Sequence, residues 1–190
     1  MKKLVNKIKD ASVFHSSKGF TLLELLVVVL IIGILTAIAL PQYRLVVYKT
    51  KYSQMVNMVR ALGNAQEEYY LMHNTYTSNL EDLSVTLPEG LTIGAEGRYF
   101  IGDCGLTLNK NLMSGILFKG NKRIASYSFY YRFSATLTHG GVTRCVTYSG
   151  TKDLGDKICK SLGGVLWSNN YAKCGTTGNK VCNQYTLYWH

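Results

Sequence analysis

KGFTLLELLVVVLIIGILTAIALP, residues 18–41, follows a lysine-rich opening and carries a single carboxylate, Glu24, inside an apolar run. Residues 20–40 number 21, and only Thr21, Glu24, Gly33 and Thr36 among them are neither strongly apolar nor Ala. At 1.5 Å of rise per residue, about 20 such residues cross a hydrocarbon core. The run therefore predicts a membrane-spanning helix. A charged group in such a helix is expensive to insert, so Glu24 either snorkels to the headgroups or has a partner and a purpose.

The residues before the run are basic, with Lys2, Lys3, Lys7, Lys9 and Lys18 against the one acid Asp10. A basic flank predicts a cytoplasmic amino terminus and export of the remainder, although Arg44, Lys49 and Lys51 on the far side pull the other way. Ala37-Ile38-Ala39 also reads as a signal-peptidase site, which would release a soluble protein beginning at Leu40. Two features oppose that reading. The run outlasts the core of an ordinary secretory signal, and Pro41 stands just past the cut.

Lys18-Gly19-Phe20-Thr21-Leu22-Leu23-Glu24 closely resembles the class III signal of type IV pilins and of the related pseudopilins of type II secretion. The resemblance is strong from Met1 to about Arg60 and architectural beyond it. It implies that a prepilin peptidase cuts after Gly19 and methylates the new amino terminus at Phe20. Glu24 is then the fifth residue of the processed chain. It implies too that the amine of Phe20 neutralises a neighbouring subunit's Glu24 inside a low-dielectric bundle, turning a buried charge into a docking address. In the family, positions such as Gly33 and Pro41 allow the helix to stretch or melt locally on assembly; an ordinary kink is the alternative for Pro41. A leader running from Met1 to Gly19 is longer than is usual for pilins that begin with Phe.

Three parts are expected: a leader, 1–19; a long helix, 20–73, with its transmembrane segment at 20–40; and a globular head, 74–190. Removing the leader takes away five Lys and one Asp and lowers the formal net charge from +10 to +6. The processed chain, 20–190, is then a single small domain on an anchored stalk. Past Pro41 the apolar pattern becomes one-sided. Leu45, Tyr48, Tyr52, Met55, Val59, Leu62, Gln66 and Tyr69 recur at spacings of three and four, one stripe along a helix that reaches about Met72. This stripe is the expected face for a sheet.

The head, with 14 Tyr and 18 Gly in the whole chain, reads as a Tyr-rich antiparallel sheet with glycine turns. Strands are expected at 98–101, 116–119, 124–133, 142–148 and 185–189, giving four or five in the sheet. In the longest run, Ala125, Tyr127, Phe129, Tyr131 and Phe133 form an aromatic face that belongs against the helix. Ser78 with Glu81 reads as a capping box for a short helical turn. Residues 153–162 read as a short helix closed by Gly163-Gly164. The fold class is α+β.

All five cysteines, Cys104, Cys145, Cys159, Cys174 and Cys182, fall in the head, and export makes disulfides the default. The family's habit of closing a carboxy-terminal loop implies Cys159 with Cys174 or Cys182, and Cys104 with Cys145 is the expected second bond. The spacings lack the Cys-x-x-Cys pairs of a zinc site. The histidines are scattered and no nucleophile elbow, P-loop or His-Glu-x-x-His occurs, so neither an enzyme nor a cofactor is expected. Asp153 and Asp156 are read as charging a helix's first turn, with a calcium site as the alternative. From Ser84 onward 12 Lys and Arg face five acids. That basic excess suits an anionic partner or a solvated surface, and Lys119, Lys122 and Arg123 are its densest group.

The resemblance thus implies a structural subunit of a type IV pilus or pilus-like filament. Its expected partners are copies of itself, the prepilin peptidase, an inner-membrane assembly platform and membrane lipid before assembly. The expected location is the bacterial inner membrane, then an extracellular or periplasmic filament. A secretion pseudopilin, a minor pilin that binds DNA, and a secreted or anchored enzyme are the alternatives.

Overall fold

The computed structural model describes residues 20–94, 98–133, 141–169 and 181–187. The chain divides into two compact units, Met1–Gln42 and Tyr43–His190. One helix, α1 (Leu22–His73), has residues in both and runs through Pro41 without interruption. Its leading part, in the first unit, is exposed at every residue, with Leu, Ile and Val on all sides. A helix apolar all round is built for lipid or for protein, not for water.

In the second unit α1 turns one-sided, as the spacing predicts. Tyr52, Met55, Val56, Val59, Leu62, Ala65 and Gln66 are buried, with Tyr48 and Tyr69 packed at the margin of the core. They cover one face of an eight-stranded antiparallel sheet in the order β1-β2-β3-β4-β5-β6-β8-β7. The strands are β1 (Thr92–Ile93), β2 (Tyr99–Ile101), β3 (Cys104–Leu108), β4 (Leu112–Lys119), β5 (Lys122–Tyr130), β6 (Thr143–Tyr148), β7 (Val165–Asn169) and β8 (Val181–Leu187). The five expected strands are all there within a few residues, except that 188–190 lie outside the described residues. Strands β1, β3 and β7 have too few residues, or too weak an alternation, to stand out against the flanking loops.

Register fixes the faces. Leu106, Gly115, Tyr127, Cys145 and Tyr185 are successive cross-strand partners and so share the face that meets α1. Gly115 is there because nothing larger fits: a Cβ on it would lie 2.7 Å from Val59 and 2.8 Å from Met55. Gly63 is the reciprocal case on the helix, where a Cβ would meet the Phe129 ring at 2.7 Å. Helix and sheet thus approach closely at two points, and the aromatic face of β5 lies where the alternation puts it. Ile124, from the other half of that alternation, is also wholly buried, near the register shift between Leu117 and Phe118.

A second helix, α2 (Lys152–Ser161), packs on β5, β6 and β8 and is followed by Gly163 at φ +76°. Asp156 pins it, accepting from the Thr147 hydroxyl at 3.1 Å and from the Asn183 amide at 2.9 and 3.0 Å, with Lys152 at 3.3 Å. That carboxylate is occupied by the fold. The short turn Leu80–Asp82 is 3-10, and its cap is Asn79 rather than Ser78; the Asn79 side chain accepts the Glu81 N–H at 3.3 Å. The loop before it is held to α1 by Gln66, whose amide donates to the Thr77 carbonyl at 2.8 Å and accepts the Thr77 N–H at 3.2 Å.

The cysteine pairing departs from expectation. Cys145 is bonded to Cys159 and Cys104 is a free, buried thiol. Cys182 is disulfide-bonded as well, and Cys174 lies outside the described residues. A Cys104–Cys145 bond is excluded by topology: β3 and β6 are three strand spacings apart, about 14 Å, against the roughly 4.4 to 6.8 Å between Cα atoms that a disulfide spans. Helix α2 instead lays Cys159 over β6, with 5.7 Å between the Cα atoms of the bonded pair.

Candidate functional site

The start of α1 is organised around Glu24. Thr21 precedes the first helical residue, Leu22, so Glu24 occupies the third helical position, and the two form a reciprocal capping box. The Thr21 backbone N–H donates to Glu24 Oε2 at 2.8 Å, the Thr21 hydroxyl donates to the same oxygen at 2.7 Å, and the Glu24 N–H donates to Thr21 Oγ1 at 3.2 Å. The motif Thr21-x-x-Glu24 is legible in the sequence, but the apolar run and the carboxylate's rarity draw attention from it. Its consequence is that the carboxylate of the isolated chain already has partners, beside the positive end of the helix dipole.

The other polar side chain of the run is satisfied the same way. Thr36 Oγ1 donates to the carbonyls of Ile32 at 2.8 Å and Gly33 at 3.0 Å. Each hydroxyl and the carboxylate of residues 20–40 therefore finds a partner within about one turn, the condition for residence in hydrocarbon. Gly33 faces open space, where an added Cβ would meet nothing within 4 Å. Phe20 is exposed at the foot of the helix, and Gly19 lies outside the described residues.

In the head, Cys104 sits by a cavity of about 300 Å³ lined by Lys51, Met55, Met58, Ile101 and Asp103. Burial, and then the Asp103 charge, push its thiol up, away from the reactive thiolate. Lys51 donates to Asp103 across the rim, and this bond raises the ammonium's pKa. Tyr70 stacks on both Phe133 and Tyr76, and Tyr76 stacks on Tyr131. Burial pushes Tyr76 up to about 12 and Tyr131 higher still.

The basic trio is brought together only in part. Lys119 and Lys122 face each other across the β4–β5 turn at Gly120, with the Lys119 ammonium 6.0 Å from the centroid of the Tyr48 ring. Arg123 lies over Tyr148, 5.6 Å from its centroid.

The family described as the prokaryotic N-terminal methylation motif matches residues 14–40. Type IV major pilin protein PilE1 of Neisseria gonorrhoeae is 38% identical over 71 residues, 37% of this chain and 43% of the relative. A fimbrial protein of Pseudomonas aeruginosa is 50% identical over 56 residues, 30% of this chain and 36% of its own length. Type IV major pilin protein PilA of Myxococcus xanthus is 33% identical over 88 residues, 46% of this chain and 40% of the relative. The chain spans less than half the length of these relatives, and no solved structure matches it. Motif and helix define a protein with a prepilin-type amino terminus. In that terminus, and over the part of the chain these relatives match, it is similar to the type IV pilins.

Proposed function

We propose that this protein is a structural subunit of a type IV pilus or pilus-like filament, a substrate of the prepilin peptidase and not a catalyst. The peptidase removes residues 1–19 and methylates Phe20. The subunit waits in the inner membrane through residues 20–40, is extracted by the assembly platform, and packs its helix among those of other copies. Lipid contacts are exchanged for protein contacts, at little cost because the two are similarly apolar.

The observation that carries this reading is the capped carboxylate. Glu24 is held by its own Thr21 in a lone subunit, close in the chain to the amine that cleavage would create at Phe20. In a bundle the amine of one copy approaches the Glu24 of another, and a pair removed from water needs both members. A subunit can thus be stored with its charge satisfied and assembled by re-pairing it. Pro41 and Gly33 lie in the stretch that would deform in that step.

Glu24→Gln separates the two roles of the carboxylate, because Gln still closes a capping box but carries no charge. If docking is electrostatic, Glu24→Gln and Glu24→Ala are both cleaved and methylated at Phe20, yet both lose filaments from the sheared cell surface. Normal filament yield from Glu24→Gln refutes the re-pairing. Recovery of an unmodified chain beginning at Leu40 refutes the reading as a whole.

A further inference from the structure

The sheet carries an arginine held between rings, with donors left over. Arg144 on β6 lies between two aromatic rings, its guanidinium carbon 5.2 Å from the centroid of Tyr130 and 4.1 Å from that of Trp167. Its Nε is buried without a hydrogen-bond partner, and among the described residues no hydrogen bond or ion pair reaches the guanidinium. The rings fix its orientation while consuming none of its N–H donors. An arginine pinned in this way has its ordering cost met before any ligand arrives.

Its surroundings point to the ligand's charge. None of the eight strands contains Asp or Glu, while Lys119, Lys122, Arg123 and Arg144 are all strand residues. The cross-strand partners of Arg144 are Ser128 on one side and Thr186 on the other, so hydroxyls flank it on the same face. Trp167 is 54% exposed and presents an indole beside the guanidinium.

The exposure of the rings decides between ligand classes. Single-stranded nucleic acid needs successive open rings along a cationic path. Here Tyr148, under Arg123, is 6% exposed and Tyr130 is half-buried, so among the described residues around these arginines Trp167 alone is an open ring. One open indole face beside one forked cation suits a single pyranose bearing a carboxylate. The ring C–H face would lie on Trp167 and the carboxylate would take two parallel bonds from Arg144.

We propose that Arg144, Trp167 and Tyr130 form a binding site for acidic sugars of the uronic or sialic class. The site lies wholly in the head and is independent of assembly, so failure of the filament reading leaves it standing. The test is calorimetric titration of the full-length processed protein in detergent with sialyllactose, trigalacturonate, neutral lactose and an oligothymidine. At least one acidic sugar binds, more weakly as salt rises, and lactose does not. Arg144→Gln and Trp167→Ala each weaken binding about tenfold or more, and Arg144→Lys does not restore it. Trp167 is exposed, so its variant keeps the fold if Arg144→Gln loses it; near-ultraviolet circular dichroism monitors both. The proposal is overturned if neither acidic sugar binds, if Trp167→Ala binds as the parent does, or if the oligothymidine binds through these residues and the sugars do not.

Discussion

Replacing Gln66 with Glu should make the stability of the head depend on pH in a direction set by one pair of hydrogen bonds. Gln66 is fully buried in the apolar stripe of α1, and its amide both donates to and accepts from the Thr77 backbone. A protonated Glu reproduces that pattern, because its O–H donates to the Thr77 carbonyl and its other oxygen accepts the Thr77 N–H. An ionised Glu is an acceptor only: it leaves the Thr77 carbonyl unpaired and buries a charge. The folded-state pKa of the introduced carboxyl therefore rises above its unfolded value of about 4.3. The native state then binds more protons than the unfolded one, and stability falls as pH rises, by about 1.4 kcal/mol per pH unit between the two pKa values. Below about pH 4 the variant approaches the parent. The neutral control, Gln66→Leu, keeps the volume but strands both Thr77 groups, each worth about 1–3 kcal/mol when buried and unsatisfied. Burial of a wholly apolar side chain offsets part of this, so a loss of about 1–3 kcal/mol is expected at every pH. Urea denaturation of the detergent-solubilised protein, followed by near-ultraviolet circular dichroism from pH 4 to 8, measures both. A Gln66→Glu variant as stable at pH 8 as at pH 4 would show that the clamp carries no weight.

Two further predictions test the packing. Removing the disulfide by Cys145→Ser with Cys159→Ser releases a loop closed over a sequence separation of 14, and the chain-entropy relation gives a loss of about 3 kcal/mol, read as a lower urea midpoint. Gly63→Ala pushes a methyl into the Phe129 ring and should cost about 1–3 kcal/mol, while Phe129→Leu added to it should recover part of that loss. Strict additivity of the two changes would contradict the close approach of α1 to β5.

Much of this architecture is legible in the sequence. The apolar helix that opens α1 is legible because its length and composition are set one residue at a time. The helix stripe through Tyr52, Met55, Val59 and Leu62 is legible because a helix presents every third or fourth residue to one side, and the face from Ala125 to Tyr131 because a strand alternates. Even the capping box at Thr21 and Glu24 is within reach, since it joins residues only three apart.

Features that the sequence hides depend on residues far apart in it. The partner of Cys145 is decided by how many strands separate β3 from β6 and by where α2 crosses, neither of which a cysteine spacing encodes. Ser78 yields the cap to Asn79 for a local reason, but the turn that forms is anchored by Gln66, which holds Thr77 from 11 positions away. The basic trio divides because successive residues of a strand alternate faces: Lys122 pairs with Lys119 across the hairpin, and Arg123 turns to the other side. Arg144, ordinary in the sequence, becomes distinctive only when β5 and β7 bring Tyr130 and Trp167 to either side of it. Periodicity and composition come from the chain's own geometry and from its solvent. Pairings between distant segments come from packing, where many contacts of similar energy are settled together, so the tertiary structure alone decides them.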